Sequence, residues 1–134
     1  MNPKEMRWKQ RFQNFAKAFE LLERTARVQQ LSEIERAGLI QFFEIAFELS
    51  WKTMKDYLES LGFLVKTPRE TIKQAFQIEL ISDGETWLRA LEDRNLTTHI
   101  YDEAFALQIE RVIRENYLPI IRQLYDKLQP EAQG

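Results

Sequence analysis

The sequence contains no cysteine and only one histidine, and these two scarcities remove several kinds of chemistry. Without cysteine the chain can form no disulfide, no thiolate nucleophile and no cysteine-ligated metal site, a composition that fits a reducing cytosol. A lone histidine and scattered carboxylates give neither zinc-type ligand spacing nor an EF-hand loop. We therefore expect no metal site and no cofactor.

The sequence also has no excess of charge of one sign and no long apolar run. Nineteen Lys and Arg residues nearly balance 21 Asp and Glu residues, for a net charge of −2. The surface therefore has no broad basic field for long nucleic acid, and any contact with RNA must be local. The first residues lack the apolar core of a secretory signal, and no apolar stretch is long enough for a membrane span. We expect a soluble, cytoplasmic protein with no membrane association.

Glycine and proline are scarce, with four of each, which leaves little room for flexible linkers. The chain has 134 residues, 44% of them hydrophobic, enough for one continuous core. We expect a single domain over residues 1–134.

Most of the chain shows apolar residues at intervals of three and four, the spacing of an α-helical face. The first helix carries Trp8, Phe12, Phe15, Phe19, Leu22 and Ala26. Ser32 and Glu35 form a capping box that opens a long second helix, which is periodic to Leu61 and is ended by Gly62 in a left-handed conformation.

Three further helix starts follow. Thr67 and Pro68 supply an N-cap hydroxyl and a proline at N1 for a short helix to about Leu80. The stretch 82–85 caps a fourth helix, and Asp102 caps the last, in which Pro119 predicts a kink near Tyr117. No segment alternates as a strand would. The fold class is all-α, an up-and-down four-helix bundle with an additional short helix at 67–80.

The second helix has an unusually narrow polar stripe, formed by Gln41, Glu44, Glu48, Lys52 and Lys55. One bundle core should not cover the apolar remainder, which consists of Leu39, Ile40, Phe42, Phe43, Ile45, Phe47, Leu49, Trp51 and Met54. A leftover apolar face favours association, most simply a homodimer. The alternative is a helix buried centrally in its own chain. Glu48 and Lys52, four residues apart, fit a solvated ion pair of little energetic consequence.

The only histidine lies in "DRNLTTHIYDE", residues 93–103. Arg94 and His99 are about 140° apart on a helix, so they converge only if the helix ends near Thr97 and Thr98. In a purely structural interpretation, the histidine contacts the helix C-terminus and Arg94 pairs with Glu92 or Asp93.

RNA cleavage by its own 2′-hydroxyl is a reaction that this small set can perform. An imidazole can move the proton, and an arginine can stabilise charge on the phosphorane oxygens. Acid and base roles together need two imidazoles, which a symmetric dimer would supply.

Four stretches, "FEIAFELSWKTMKDYL", "TPRETIKQAF", "LISDGETW" and "DRNLTTHIYDE", together resemble the HEPN-domain nucleotidyltransferase substrate-binding protein family, relatives of HepT toxins. The resemblance covers residues from roughly 35 to 128 and includes the family's Arg-x4-His-x-Tyr pattern at Arg94, His99 and Tyr101. It implies an all-α bundle that dimerises and forms a complex with an MNT-type nucleotidyltransferase.

The resemblance also implies two activities. In the toxin branch, Arg94 and His99 would perform metal-independent RNA cleavage, Asn95 would orient His99 or the phosphate, and the partner would add AMP to Tyr101. In the alternative, the protein is a non-catalytic subunit that binds substrate for the nucleotidyltransferase. A plain dimeric helical scaffold is a third possibility.

Two further residue sets bear on these alternatives. The chain lacks the Gly-Ser and paired-aspartate pattern of a nucleotidyltransferase active site, so it should not transfer nucleotides alone. Arg69 is a candidate for phosphate contact. The alternative is that it only forms part of the start of the third helix. The ribonuclease interpretation requires a dimer to gather Arg94, Lys73 or Arg89 into a basic cleft.

Overall fold

The computed structural model describes residues 2–98 and 102–134. Over these residues the chain is all helical and contains no strand. The helices are α1 (Pro3–Ala26), α2 (Glu33–Ser60), α3 (Pro68–Gln77), α4 (Gly84–Thr97), α5 (Glu103–Val112), a π-helical turn (Ile113–Tyr117) and α6 (Leu118–Gln133). The predicted all-α class is confirmed.

The four long segments alternate in direction, as an up-and-down bundle requires. α1 and α2 run antiparallel and are joined by the Arg11–Asp56 ion pair at 3.0 Å. α4 runs antiparallel to α2, while the last segment, α5 through α6, runs alongside α2 in the same direction and stacks Tyr117 on Phe43 at 5.4 Å between ring centroids. α3 is the additional short helix and packs against α2 and α4.

Local capping explains where the helices begin. The Ser32 hydroxyl accepts from the Glu35 backbone at 3.1 Å, and the Glu35 carboxylate accepts from the Ser32 backbone at 2.8 Å, which completes the predicted capping box. Thr67 caps α3, and Asp102 caps α5. These starts are confirmed because each depends on neighbouring residues only.

Two helix ends use the same hydrogen-bond pattern with different residues. After α2, Gly62 has φ 97° and Phe63 donates to the Leu58 carbonyl at 3.0 Å, as predicted for a left-handed cap. After α3, Glu79 adopts φ 63° and Leu80 donates to the Ala75 carbonyl at 2.9 Å. The prediction that α3 reaches Leu80 is therefore wrong, because a non-glycine residue forms the left-handed cap there.

The last helical segment changes its winding where a kink was expected. Pro119 has no N–H to donate, and its ring would crowd the carbonyl four residues earlier. The backbone widens into a π-helical turn just before it, with the Leu118 N–H bonded to the Ile113 carbonyl. The disturbance near Tyr117 is confirmed, and its form is a π-bulge.

The second helix occupies the centre of the bundle and contacts α1, α3, α4, α5 and α6. Five of its nine apolar residues named above are buried, three are half-buried against the core, and only Ile45, at 42% exposure, is exposed. The expectation that one core cannot cover them is wrong for eight of the nine, because helices pack around α2 from several sides. The central-burial alternative accounts for this composition, so the apolar remainder no longer supports a homodimer.

Candidate functional site

The carboxyl-terminal half of α4 carries the predicted site residues. The helix begins at Gly84 and is capped by Asp83, whose carboxylate accepts from the Thr86 hydroxyl at 2.7 Å and the Thr86 N–H at 3.1 Å. These two hydrogen bonds lower the pKa of Asp83 below its ordinary value. The helix ends at Thr97, with Thr98 at the C-cap, so the predicted termination near the two threonines is confirmed.

Arg94 pairs with a carboxylate on another helix. Its Nη2 donates to Glu48 Oε2 of α2, and its Nη1 donates to Asn95 Oδ1 at 3.1 Å. The predicted pairing with Glu92 or Asp93 is wrong, since Glu48 faces α4 across the bundle. The Arg94 side chain keeps 29% of its surface exposed. Within the described part of the chain, its Nε has no acceptor.

Glu48 has two partners in addition to the lysine of the predicted ion pair. The predicted partner Lys52 is present, with Nζ at 3.2 Å from Oε1. The buried Trp51 donates from its indole Nε1 to Oε2 at 3.1 Å, the same oxygen that receives Arg94. Three donors therefore surround one half-buried carboxylate.

Two further contacts hold the same end of α4. The Thr97 hydroxyl donates to Glu44 Oε2 at 2.6 Å, which gives a second link to α2. On the other side, the buried Tyr117 hydroxyl donates to Asp93. Burial, followed by this hydrogen bond, raises the pKa of Tyr117 above its ordinary value, so the phenol stays protonated. The segment around Arg94 is fixed from both sides.

A cavity of about 260 Å³ opens beside this end of α4, between α2 and α5. Its polar lining consists of Gln41, Glu44, Thr97 and Asp102. Its apolar lining consists of Ala37, Ile40, Phe105 and Ala106. The described walls contain two carboxylates and no cation.

Two predicted site residues, His99 and Tyr101, lie outside the described residues. The described neighbours on either side are Thr98 and Asp102, and both Thr97 and Asp102 line the cavity. Of the predicted site, the structure therefore brings together Arg94 and Asn95, with Glu48 added.

The other predicted cations, which are Arg69 for phosphate contact and Lys73 and Arg89 for a basic cleft, line no wall of this cavity. Arg69 is exposed on the first turn of α3 and lines no wall of the cavity. Lys73 lines a separate groove between α3 and α4, together with Asp83 and Glu85. Arg89 lies on α4, five residues before Arg94, and donates to the Thr86 hydroxyl at 3.1 Å. In the described part of a single chain, Lys73 and Arg94 therefore do not line a common pocket, and the cavity beside Arg94 has no cation in its walls.

Sequence reasoning missed Glu44 and Glu48 as partners of α4. The signal was present, because both residues belong to the narrow polar stripe of a helix that is otherwise apolar. A carboxylate stripe on a central helix must face either solvent or donors from its neighbours. The choice of Arg94 and Thr97 as those donors depends on packing between residues some 50 positions apart, and no local pattern contains it.

Similar proteins place this geometry in context. The family model described as "Nucleotidyltransferase substrate binding protein like" matches residues 10–130. A Haemophilus influenzae protein named "Probable ribonuclease HepT" is 32% identical over 83 aligned residues, and the match covers 54% of this chain and 53% of that protein. The match thus spans about half the length of this curated relative.

Two solved structures share the fold over nearly their whole length. A Thermus thermophilus protein superposes with a TM-score of 0.75 at 31% identity, covering 90% of this chain and 99% of that one. A Haemophilus influenzae protein superposes with a TM-score of 0.73 at 26% identity, covering 88% and 98%. The latter structure is described as revealing the fold of a substrate binding domain of a nucleotidyltransferase.

The family match covers far more than half of the chain and agrees with the resemblance carried by the four sequence stretches. In the described residues, no helix combines the length and apolar character that a membrane span requires. The chain belongs to the nucleotidyltransferase substrate-binding-protein-like family.

Proposed function

We propose that this protein is a HepT-like, metal-independent ribonuclease that acts as a homodimer. It would be the toxin of a two-component toxin–antitoxin module, and an MNT-type nucleotidyltransferase would be its partner. The observation that carries the proposal is the state of Arg94. Its guanidinium is fixed by Glu48, yet its Nε and further N–H groups have no acceptor among the described residues. A fixed arginine with unused donors, five residues before the lone histidine, suits a phosphate-binding role.

The chemistry assigns one task to each residue. One imidazole of His99 removes the proton from the RNA 2′-hydroxyl, whose oxygen attacks the adjacent phosphorus. Arg94 stabilises the negative charge on the phosphorane oxygens, and a second imidazole protonates the leaving 5′-oxygen. The products are a 2′,3′-cyclic phosphate and a 5′-hydroxyl. Because each chain has one histidine, both chains of a dimer must contribute.

Charge around the site sets a condition on this function. Glu44, Glu48 and Asp102 surround Arg94 and the adjacent cavity, so one chain offers RNA little electrostatic attraction. We therefore propose that the second chain supplies cations to the cleft and that RNA is held at few phosphates.

Cleavage is tested with the purified protein, without its partner, in buffer containing EDTA. We expect RNA to be cut by the wild type and by Arg111→Ala, which removes an exposed arginine from α5. His99→Ala and Arg94→Ala should lose cleavage while remaining folded and dimeric. A wild type that is inert under these conditions overturns the ribonuclease proposal.

The proposed modification assigns Tyr101 as the acceptor of AMP. The Tyr101 oxygen attacks the α-phosphorus of ATP in the partner's active site and releases pyrophosphate. Incubation with the partner and ATP should add the mass of AMP to the wild type and to Tyr57→Phe, but not to Tyr101→Phe. A mass increase that persists in Tyr101→Phe would show that the acceptor is another residue.

A second candidate function is a non-catalytic subunit that binds substrate for the nucleotidyltransferase. The cavity lining favours it, because two carboxylates, a hydroxyl and an amide suit a small cationic or hydroxylated molecule better than a phosphate. This function predicts an inert protein in the RNA assay and a partner whose transfer to a small substrate requires this chain.

A further inference from the structure

The carboxylate that contacts Arg94 is held in position by its own helix. Glu48 Oε2 accepts from the indole of Trp51, three residues on, and Oε1 lies 3.2 Å from the ammonium nitrogen of Lys52, four residues on, in an ion pair. Trp51 is only 9% exposed, so its ring has little freedom. The position of the carboxylate is therefore set by α2, whether or not Arg94 is present.

The contact restrains Arg94 without saturating it. Only Nη2 of Arg94 reaches Glu48, whereas a bidentate pair would engage two nitrogens with two oxygens. Arginine has five N–H donors, and the described residues accept from Nη1 and Nη2 only. A long side chain with high rotamer freedom is thus held in one orientation, with donors remaining for a second anion.

We propose that Glu48 is a positioning residue, which aims the Arg94 guanidinium at the phosphate undergoing reaction. This inference rests on the proposed ribonuclease function. Glu48 itself touches no substrate and would be an unfavourable neighbour for one, since a carboxylate repels a phosphate. Its effect should therefore lie in the reactive step, where orientation counts, and not in ground-state binding.

The main test compares kcat and KM for a short RNA with wild type and Glu48→Gln. We expect kcat to fall about 10- to 100-fold, because a misdirected catalytic group costs this much. KM should stay the same or decrease, because the substitution removes a negative charge beside the phosphate. If Glu48→Gln only destabilised the fold, the fraction of folded protein would decrease and KM would stay the same. The apparent kcat would then return to the wild-type value at lower temperature.

Two further variants sharpen the result. Trp51→Phe keeps an aromatic ring but removes the indole donor from Glu48, so it should lower kcat in the same direction by a smaller factor. Glu59→Gln is the matched control, since Glu59 lies on the same helix in an ion pair with Lys55 at 2.5 Å, away from the site. It should leave both constants unchanged. A rise in kcat in Glu48→Gln would overturn the proposal, because Glu48 would then restrain Arg94 unproductively.

A measurement independent of RNA separates this inference from the proposed function. Heteronuclear NMR of the arginine side chains should show restricted rotation of the Arg94 guanidinium in wild type and Glu59→Gln, and free rotation in Glu48→Gln. Restricted rotation in a wild type that does not cleave RNA would reject the ribonuclease while keeping Glu48 as the residue that orients Arg94. Equal rotation in all three proteins would overturn the inference itself.

Discussion

Two groups of ion pairs in this bundle use arginine in different ways. In the first, near the α1–α2 turn, Arg36 donates from Nε to Glu110 at 2.7 Å, from Nη1 to Glu103 at 2.5 Å and from Nη2 to the Leu31 carbonyl at 3.0 Å. Arg114 likewise engages all three nitrogens, with Glu110 and the carbonyls of residues 26 and 28 as acceptors. Arg94, in the second group, uses two nitrogens and leaves Nε without an acceptor in the described chain.

The difference separates arginines that join elements through all three nitrogens from one that leaves a nitrogen without an acceptor in the described residues. Arg36 and Arg114 tie the turn before α2 to α5 and the π-helical turn, and each uses all three of its guanidinium nitrogens to do so. Arg94 is restrained by one carboxylate and a neighbouring amide only. Arg36 and Arg114 each keep two N–H groups free on nitrogens that are already bonded, whereas Arg94 keeps three, including that of Nε, without an acceptor in the described residues. Arg94 therefore has more donors left for an anion.

The largest expected effect comes from replacing the guanidinium of Arg94 with a single ammonium group. Arg94→Lys keeps the positive charge and can keep the contact with Glu48, but it cannot present a second pair of donors to a phosphate. We expect RNA cleavage to fall by about 100-fold, as for loss of one donor that stabilises the transition state. Thermal unfolding should stay near that of the wild type. Full activity in Arg94→Lys would show that charge alone is required at this position.

The reciprocal substitution should lower stability and spare activity. In Arg114→Lys a single ammonium replaces a group that links Glu110 to two backbone carbonyls of the α1–α2 turn. Chemical denaturation should show a loss of about 2 kcal/mol, the range for hydrogen bonds to charged groups. Cleavage per folded molecule should remain unchanged. A variant that unfolds like the wild type would mean that the turn is held by apolar packing alone.

The contrast between the two groups also marks what could be predicted from the sequence. Helix starts at Ser32, Thr67 and Asp102 were predictable, because each cap side chain and the backbone N–H that donates to it lie within three residues. The end of α3 was not, since Glu79 takes a left-handed conformation that sequence rules assign to glycine or asparagine.

Partners across the bundle were the least predictable part of the site. Arg94 was identified from its spacing to the histidine, but its carboxylate lies 46 residues away on α2. With 21 acidic residues to choose from, only the packing of α4 against α2 selects Glu48. The same packing buries most of the apolar surface of α2, which sequence reasoning assigned to a second chain.

A substitution of Tyr117 tests how far the end of α4 that carries Arg94 depends on its hydrogen bond from the π-helical turn. Tyr117→Phe removes the hydroxyl that donates to Asp93 and keeps the ring on Phe43. We expect a loss of about 1 kcal/mol in the free energy of unfolding, because half-buried Asp93 can regain a water molecule. Cleavage should fall a few-fold, since the end of α4 that carries Arg94 is less firmly held.

A matched control for Tyr117→Phe lies at the other end of the bundle. Tyr57 donates to Glu131 at 2.9 Å, so Tyr57→Phe removes the same kind of bond away from Arg94. Stability should fall comparably in this variant while cleavage stays unchanged. If both variants lose cleavage to the same extent, the loss reflects general stability and not support of the site.

The smallest expected effect is the pH dependence of the turn. Burial raises the pKa of Glu110, but hydrogen bonds from Arg36 and Arg114 outweigh it and hold the pKa below the ordinary 4.5. A carboxyl whose pKa is depressed on folding contributes stability above its unfolded pKa and loses it as the pH falls through the folded pKa. The free energy of unfolding, followed by denaturation from neutral pH to about pH 3, should therefore decline more steeply for wild type than for Glu110→Gln. Glu115→Gln, which changes an exposed glutamate of the π-helical turn, should follow the wild type. Parallel curves for wild type and Glu110→Gln would mean that the pKa of Glu110 is the same in the folded and the unfolded state, so that the two arginines do not lower it.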